Sequence, residues 1–316
     1  MNGHHGGTDR RTLLRTTSAA AIALAMPFTT GDAGLADRHA QGISTAATPQ
    51  TPPGESGYAP VNDMEMYYEI HGSGGTPLVM LHGAYSNIPF WGELLPGLAA
   101  DRTVIAVETQ GHGRTADIDR PITYEHMADD VAVFLDHLGI GQADILGYSM
   151  GGSTALQVTI RHPEVVRKLV LISTYFNSGG YYPEILADIA GYTPDVFAGT
   201  PIVTEYERLS PRPEDFPILF EKLHTLDTTV LAWPTADMEG ITAPAFVIAG
   251  DSDVVTPEHA LETFRLLGGG VPGDVTGLPR SRMAFLPAAT HVTAIMQTDL
   301  LLAMIPPFLD APMPDA

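Results

Sequence analysis

A serine stands at the centre of the glycine-flanked run Gly147-Tyr148-Ser149-Met150-Gly151. An apolar segment of strand type precedes this run and a helical pattern follows it, so the two glycines would allow a tight strand-to-helix turn. Such a turn holds the serine hydroxyl clear of the backbone and places a helix N-terminus beneath it. A hydroxyl presented in this way is suited to nucleophilic attack, provided that a neighbouring base accepts its proton.

The amino-acid composition excludes several kinds of reactive site. The chain contains no cysteine, which excludes disulfides, thiolate metal sites and a cysteine nucleophile. It also carries neither a cluster of metal ligands nor a phosphate-binding loop motif. We therefore expect no metal and no cofactor.

The segments around Ser149 alternate between short β-type runs and helical patterns, which predicts an α/β fold with a doubly wound, mostly parallel sheet. Continuous apolar runs such as Pro77–His82 are typical of strands covered on both faces. The predicted strands cover 64–70, 77–82, 102–108, 144–148, 169–173, 245–249 and 283–286, and the predicted helices cover 124–138, 150–161 and 299–309.

The strand pattern lapses between residues 175 and 242, where Tyr, Pro, Leu and short helical patterns take its place. We interpret 175–242 as a cap inserted over the mouth of the site, with 58–174 and 243–316 forming the core. Aromatic residues are frequent in the cap, and any of them could line an apolar pocket.

Four landmarks occur in order along the chain. They are His82-Gly83 after one strand, Gly111-His112-Gly113 after the next, the run from Gly147 to Gly152, and Gly250-Asp251-Ser252-Asp253 followed later by His291. With these landmarks, the stretch from about Met64 to Leu309 resembles the α/β-hydrolase family, in particular its capped esterases, enol-lactonases and cofactor-free haloperoxidases. The resemblance implies an α/β-hydrolase fold with a helical cap insertion. A serine nucleophile argues against the epoxide-hydrolase and haloalkane-dehalogenase branches, whose nucleophile is a carboxylate.

In this family the nucleophile comes first, the acid second and the histidine last. Only four histidines follow Ser149, namely His162, His224, His259 and His291. The resemblance makes His291 the general base, because it follows the last predicted strand, and leaves the other three as structural or surface residues. Asp251 and Asp253 both follow the strand 245–249, and the family pattern favours Asp253 as the acid. Asp251 would then be a turn former.

Two backbone N–H groups are expected to stabilise the oxyanion of the reaction. The helix-opening amide of Met150 is one candidate, and the resemblance points to Ala84 for the other, with Tyr85 close by. We expect His82, His112 and Glu108 to brace the surrounding loops, although relatives usually carry Asp where this chain has Glu108. The pocket candidates are Tyr85, Trp91, Tyr148 and Tyr175.

These residues together predict a serine hydrolase that cleaves a small, largely apolar carboxylic ester or lactone through an acyl-enzyme on Ser149. Two alternatives use the same triad, a cofactor-free perhydrolase and a hydrolase of C–C bonds. A third alternative is a ligand-binding protein that kept the triad, because fold and function are separable. Sustained turnover would distinguish the enzyme from the receptor.

The charge of the chain limits its partners. Asp and Glu total 37 against 16 Lys and Arg, for a formal net charge of −21. Such a chain would be repelled by polyanions, so we expect no nucleic-acid partner and no stable membrane insertion. The sequence gives no signal for an oligomeric state.

The N-terminal segment has a separate pattern. Arg10-Arg11 precedes a short apolar stretch from Ala19 to Phe28, which ends in small residues. This layout resembles a twin-arginine signal peptide, so we expect residues 1–36 to be cleaved and the mature chain to be periplasmic or extracellular. Residues 37–57 then form a flexible leader rich in Pro, Thr, Gly and Ala.

Overall fold

The computed structural model describes residues 54–313. The predicted signal peptide, 1–36, and most of the predicted leader lie outside the described residues. The first strand begins at Glu55, so the last residues assigned to the leader belong to the core instead. This strand turns through Asn62-Asp63, both in the left-handed region, and pairs antiparallel with the next one. Gly57 and Pro60 weaken its strand pattern, and both are tolerated because the strand lies at the sheet edge.

The described chain alternates strands and helices. The strands are β1 (Glu55–Val61), β2 (Met64–His71), β3 (Leu78–Leu81), β4 (Val104–Val107), β5 (Ala143–Tyr148), β6 (Val166–Ile172), β7 (Ala245–Gly250) and β8 (Arg282–Leu286). The helices are α1 (Leu94–Leu98), α2 (Tyr124–His137), α3 (Met150–Arg161), α4 (Pro183–Ala190), α5 (Pro201–Leu209), α6 (Phe216–Thr228), α7 (Thr235–Glu239), α8 (Pro257–Leu266), α9 (Gly273–Thr276), α10 (His291–Ala294) and α11 (Thr298–Leu309).

The strands form one eight-stranded sheet in the order β1-β2-β4-β3-β5-β6-β7-β8. Pairs β1–β2 and β2–β4 are antiparallel, and all other pairs are parallel. The predicted mostly parallel α/β sheet is thus confirmed. Every residue of β3, β4, β5 and β7 is buried, as expected of strands covered on both faces.

Helices cover the two faces of the sheet. On one face α2, α3 and α8 pack through residues such as Phe134, Leu156 and Ala260. On the other face α1 and α11 pack through residues such as Leu94 and Ile305. The carboxyl ends of the parallel strands remain uncovered by these layers, and in open α/β sheets ligands bind at this edge.

Helices α4, α5 and α6 form the cap over that edge. Phe216, Phe220 and Leu223 of α6 pack together with Met150, so the cap rests directly on the turn that carries Ser149. The cap is narrower than the predicted 175–242. Phe176 stacks on His259, and Met238 of α7 packs into the core, because both ends of the segment return to the sheet layers.

None of the helices within residues 54–313 is long and apolar enough to cross a membrane.

Candidate active site

Ser149 occupies a strained turn between β5 and α3. Its φ is +54°, a value that non-glycine residues rarely adopt and that persists only where the surroundings enforce it. Glycine is required on either side, because a Cβ at Gly147 would collide with the carbonyl of Gly151, and one at Gly151 with the carbonyl of Leu81. The sequence therefore folds into the predicted strand-turn-helix, with the hydroxyl presented at the sheet edge.

Three side chains form a hydrogen-bonded chain at this edge. His291 Nε2 lies 2.9 Å from Ser149 Oγ, and His291 Nδ1 lies 2.7 Å from Asp253 Oδ1. The three residues follow β5, β7 and β8, so the sheet brings together positions more than a hundred residues apart in sequence. The geometry suits proton transfer from the serine to the imidazole, with the carboxylate fixing the tautomer of the ring.

Asp253 is held as an anion. Burial alone would raise the pKa of its carboxyl, but the positive charge of protonated His291 and several hydrogen bonds outweigh burial and lower the pKa. Besides His291, its carboxylate accepts hydrogen bonds from the Ser173 hydroxyl at 2.5 Å, the Val255 N–H at 3.1 Å and the Gly250 N–H at 3.4 Å. Ser173 follows β6 and was not predicted. No motif marks it, since a serine after a buried strand is common.

Asp251 has a different environment from Asp253. Its exposed carboxylate accepts hydrogen bonds from the N–H groups of Ala288 and Ala289, at 2.9 and 3.2 Å. These bonds tie the loop after β7 to the loop that carries His291. The geometry is that of a turn former and leaves Asp253 as the carboxylate in contact with the imidazole.

Two backbone N–H groups near Ser149 are candidates for an oxyanion site. Those of Ala84 and Met150 donate to no acceptor within the described part of the chain. The N–H of neighbouring Tyr85, in contrast, donates to His112 Nε2 at 3.2 Å. Tyr85 is thereby removed as a donor to the substrate. Ala84 and Met150 both line the pocket beside Ser149.

A buried histidine pair braces the loop that carries Ala84. His82 Nδ1 donates to the Gly83 carbonyl, and the centroid of its ring lies 4.8 Å from that of His112, with the two rings tilted by 53°. Burial lowers the pKa of His82 to about 4 and that of His112 to about 3, so both rings are neutral. Neutral imidazoles can accept hydrogen bonds, which is what the Tyr85 N–H requires of His112.

Glu108 holds the turn after β4. Its buried carboxylate accepts from the N–H groups of Ile88 and Arg114, and the Arg114 guanidinium pairs with it at 2.9 Å. Burial nevertheless raises the pKa of Glu108. The side chain makes no contact with Ser149, Asp253 or His291, in keeping with a bracing role.

A cavity of about 820 Å³ opens above Ser149, between the sheet edge and the cap. Of the predicted pocket residues, Tyr85, Tyr148 and Tyr175 line it. Tyr148 also donates from its hydroxyl to the His291 carbonyl at 3.1 Å.

The prediction that Trp91 lines the pocket is wrong, because the residue lies outside it. Its side chain is only 2% exposed and packs in the core layer with α1 and α11. The short 3₁₀ turn from Ile88 to Trp91 directs the ring inward, although the residue is close in sequence to the oxyanion loop.

Sequence reasoning missed several pocket residues of the cap. Ile185 and Ile189 of α4 and His224 and Asp227 of α6 all line the cavity. The sequence predicts a structural or surface role for His224, whereas the structure places it in the cavity wall. The cap helices carry no motif, so only their packing over the sheet edge reveals which side chains face Ser149. No group of three or more His, Asp or Glu residues within 54–313 is placed to hold a metal ion.

Comparisons with known proteins match this architecture. Residues 76–216 match the family model of the alpha/beta hydrolase fold. The 2-hydroxymuconate semialdehyde hydrolase of Pseudomonas sp. strain CF600 is 39% identical over 155 residues, which cover 43% of this chain and 53% of that protein. The acetyltransferase component of the acetoin cleaving system of Pseudomonas putida is 39% identical over 108 residues, 34% of this chain and 29% of that protein. The chain thus spans about half or less of the length of these relatives.

A solved structure extends the likeness of fold over most of the chain. The enol-lactonase from Burkholderia xenovorans LB400 superposes with a TM-score of 0.61 at 22% identity, covering 80% of this chain and all of that one. The family match, the sheet order and the shared fold agree. The chain therefore has the α/β-hydrolase fold.

Proposed function

We propose that the protein is a serine hydrolase that cleaves a carboxylic ester or lactone through an acyl-enzyme on Ser149. The observation that carries the proposal is the hydrogen-bonded chain from Ser149 through His291 to Asp253, beside two backbone N–H groups that have no acceptor within residues 54–313. The enol-lactonase among the similar folds supports a lactone or ester substrate.

Each step of the proposed hydrolysis has a residue positioned to perform it. Ser149 Oγ attacks the substrate carbonyl carbon while His291 Nε2 accepts the hydroxyl proton. The negative charge that develops on the carbonyl oxygen is stabilised by the N–H groups of Ala84 and Met150. His291 then protonates the leaving alkoxide, which releases the alcohol and leaves the acyl group on Ser149. Water, deprotonated by His291, hydrolyses this ester and regenerates the serine.

The pocket sets the kind of substrate. Its walls are mainly apolar and aromatic, which suits a medium-sized, largely apolar acyl or alcohol group. Its volume of about 820 Å³ exceeds what a simple acetyl ester fills. We expect activity to rise with the size of the apolar group until the pocket is full.

Turnover of p-nitrophenyl esters and of lactones by wild type and Ser149→Ala tests the proposal. Sustained turnover should fall by about four orders of magnitude or more in Ser149→Ala, because the nucleophile is lost. Ser252→Ala is the matched control, since this exposed serine lies on the loop of the acid and should leave turnover unchanged. A fluorophosphonate should label wild type at Ser149 only. Turnover that survives Ser149→Ala would refute the mechanism, and labelling with a single turnover would favour the receptor alternative.

We also propose that residues 1–36 direct export. Replacing Arg10 and Arg11 with Lys should retain the protein in the cytoplasm, because twin-arginine signals depend on the arginine pair. Cell fractionation measures the outcome. Unchanged export of this variant would refute the twin-arginine interpretation.

A further inference from the structure

The pocket contains an acidic side chain that ester hydrolysis does not require. Asp227 lies near the end of α6 and lines the same cavity as Ser149 and His291. It is partly buried, and its charge and that of His291 influence one another. Because His291 Nδ1 already pairs with Asp253, Asp227 is a second carboxyl near the reaction centre without a role in the triad.

The other charged side chains that surround the cavity are paired or exposed. Arg208 pairs with Glu205 at 2.6 Å, and Arg114 pairs with Glu108 at 2.9 Å. Glu93 is exposed at the surface. Within the described residues, Asp227 receives no hydrogen bond and has no cationic side chain within ion-pair distance. It is therefore the pocket's uncompensated interior carboxyl.

Several aromatic side chains line the same cavity as this carboxyl. Tyr85, Tyr175 and Tyr181 line it with Asp227; burial is the main cause that raises the pKa values of their hydroxyls, and the charge of Asp227 adds to it. Phe220, two helical turns before Asp227 on α6, lines the same cavity. Faces of aromatic rings attract cations, most strongly where water is excluded.

An unpaired carboxylate in such surroundings is unfavourable. Burial raises the pKa of Asp227 from its ordinary value to about 7. A ligand that brings a positive charge would supply the missing counterion, so the site gains most from a cationic group and least from an anionic one. The net charge of −21 on the chain also favours cationic ligands over anionic ones.

We propose that Asp227 and the aromatic rings around it form a subsite for an ammonium group, so that the preferred substrate is an amine-bearing ester or lactone. The inference rests on the proposed ester or lactone hydrolysis and names the substrate class of that site. Esters that carry a carboxylate at this position would be disfavoured, because two like charges would then share a poorly hydrated pocket.

Two pairs of matched esters test the preference. In each pair a trimethylammonium group is replaced by the isosteric, neutral tert-butyl group, once in the acyl chain and once in the alcohol. The ratio of kcat/KM, cationic over neutral, should be about tenfold or more in one of the two pairs. In Asp227→Asn this ratio should fall to near one. Glu221→Gln removes the same charge from the exposed face of α6 and should keep the ratio.

A ratio near one for wild type in both pairs, or an equal ratio in Asp227→Asn, would overturn the subsite. The first result would also fit a protonated Asp227 that donates a hydrogen bond to a neutral substrate. Loss of all turnover in Ser149→Ala is a separate result, since it bears only on the ester mechanism.

A binding measurement keeps the inference testable if no ester is turned over. Benzyltrimethylammonium is titrated calorimetrically into Ser149→Ala and into the double variant that also carries Asp227→Asn. Affinity should be about tenfold weaker in the double variant. Equal affinity would refute the ammonium subsite, whatever reaction the protein catalyses. Circular dichroism spectra show whether each variant is folded.

Discussion

The floor and the roof of the pocket are built differently. The floor consists of short loops at the ends of β3, β5, β7 and β8, where hydrogen bonds join the side chains of Ser149, His291 and Asp253. The roof consists of the cap helices α4, α5 and α6, which contribute mostly apolar and aromatic walls and the unpaired Asp227. The reacting side chains of the floor are thus held in place before substrate arrives, whereas a charged side chain of the roof, Asp227, has no partner within residues 54–313.

We infer from this contrast that the floor carries out the reaction and that the roof selects the substrate. Groups that act on the carbonyl must be held to within a fraction of an ångström, so each is braced by further hydrogen bonds and by strand ends. Groups that bind the remainder of the substrate can vary more in position without loss of activity. Changes in the floor should therefore lower kcat for every ester, and changes in the roof should alter KM and the ranking of substrates.

Asp253→Asn should give the largest effect after loss of the nucleophile. The amide cannot stabilise protonated His291 and favours the wrong tautomer of its ring, so kcat should fall by about three to four orders of magnitude. The matched control is Asp251→Asn, which weakens a loop tie and should retain most activity. Equal losses in the two variants would mean that the carboxylate of the triad is misassigned.

His112→Phe should test whether the floor depends on groups that never contact substrate. The phenyl ring keeps a ring contact with His82 but cannot accept a hydrogen bond from the Tyr85 N–H, so the Ala84 loop should lose its orientation. We expect kcat to fall by about ten- to a hundredfold with a smaller change in KM, less than direct removal of an oxyanion donor. The surface variant His137→Asn is the control. A change in KM alone would place His112 with substrate binding instead.

The sequence predicts the floor better than the roof, for physical reasons. Buried parallel strands need continuous apolar runs, and a sharp strand-to-helix turn needs glycines, so β5, Ser149 and α3 leave clear patterns. Ser173 leaves none, because its contact with Asp253 depends on the register of β6 against β7. Trp91 was misplaced because closeness in sequence to Ala84 says nothing about the direction of a short helical turn. Asp227 depends on how α6 packs over the edge, which no local pattern encodes.

Ser173→Ala should lower activity less than Asp253→Asn does, because Ser173 contacts the acid of the proposed triad and not the substrate. The hydroxyl is one of several donors to Asp253, and its loss should lower kcat by about tenfold and stability by about 1–3 kcal/mol at neutral pH. The pKa of Asp253 is lowered in the folded protein, so this stabilisation is complete above the unfolded pKa and is lost as pH falls through the folded pKa. The difference in Tm between wild type and Ser173→Ala should accordingly narrow below about pH 4. A constant difference across that range would assign Ser173 a packing role only.

Phe197→Ala should have the smallest effect on chemistry and the clearest effect on selection. Phe197 belongs to the cap, and its ring packs on Tyr85 at 4.6 Å in the pocket wall. The substitution enlarges the cavity on the side of the cap and removes no hydrogen bond of the floor. We therefore expect kcat for a short p-nitrophenyl ester to stay within about threefold, KM to rise several-fold, and the optimum acyl chain to lengthen. The chain-length profile of kcat/KM measures this shift. If kcat instead fell as far as in His112→Phe, the cap would be part of the catalytic framework, because the position of Tyr85, and through it Ala84, would depend on support from the roof.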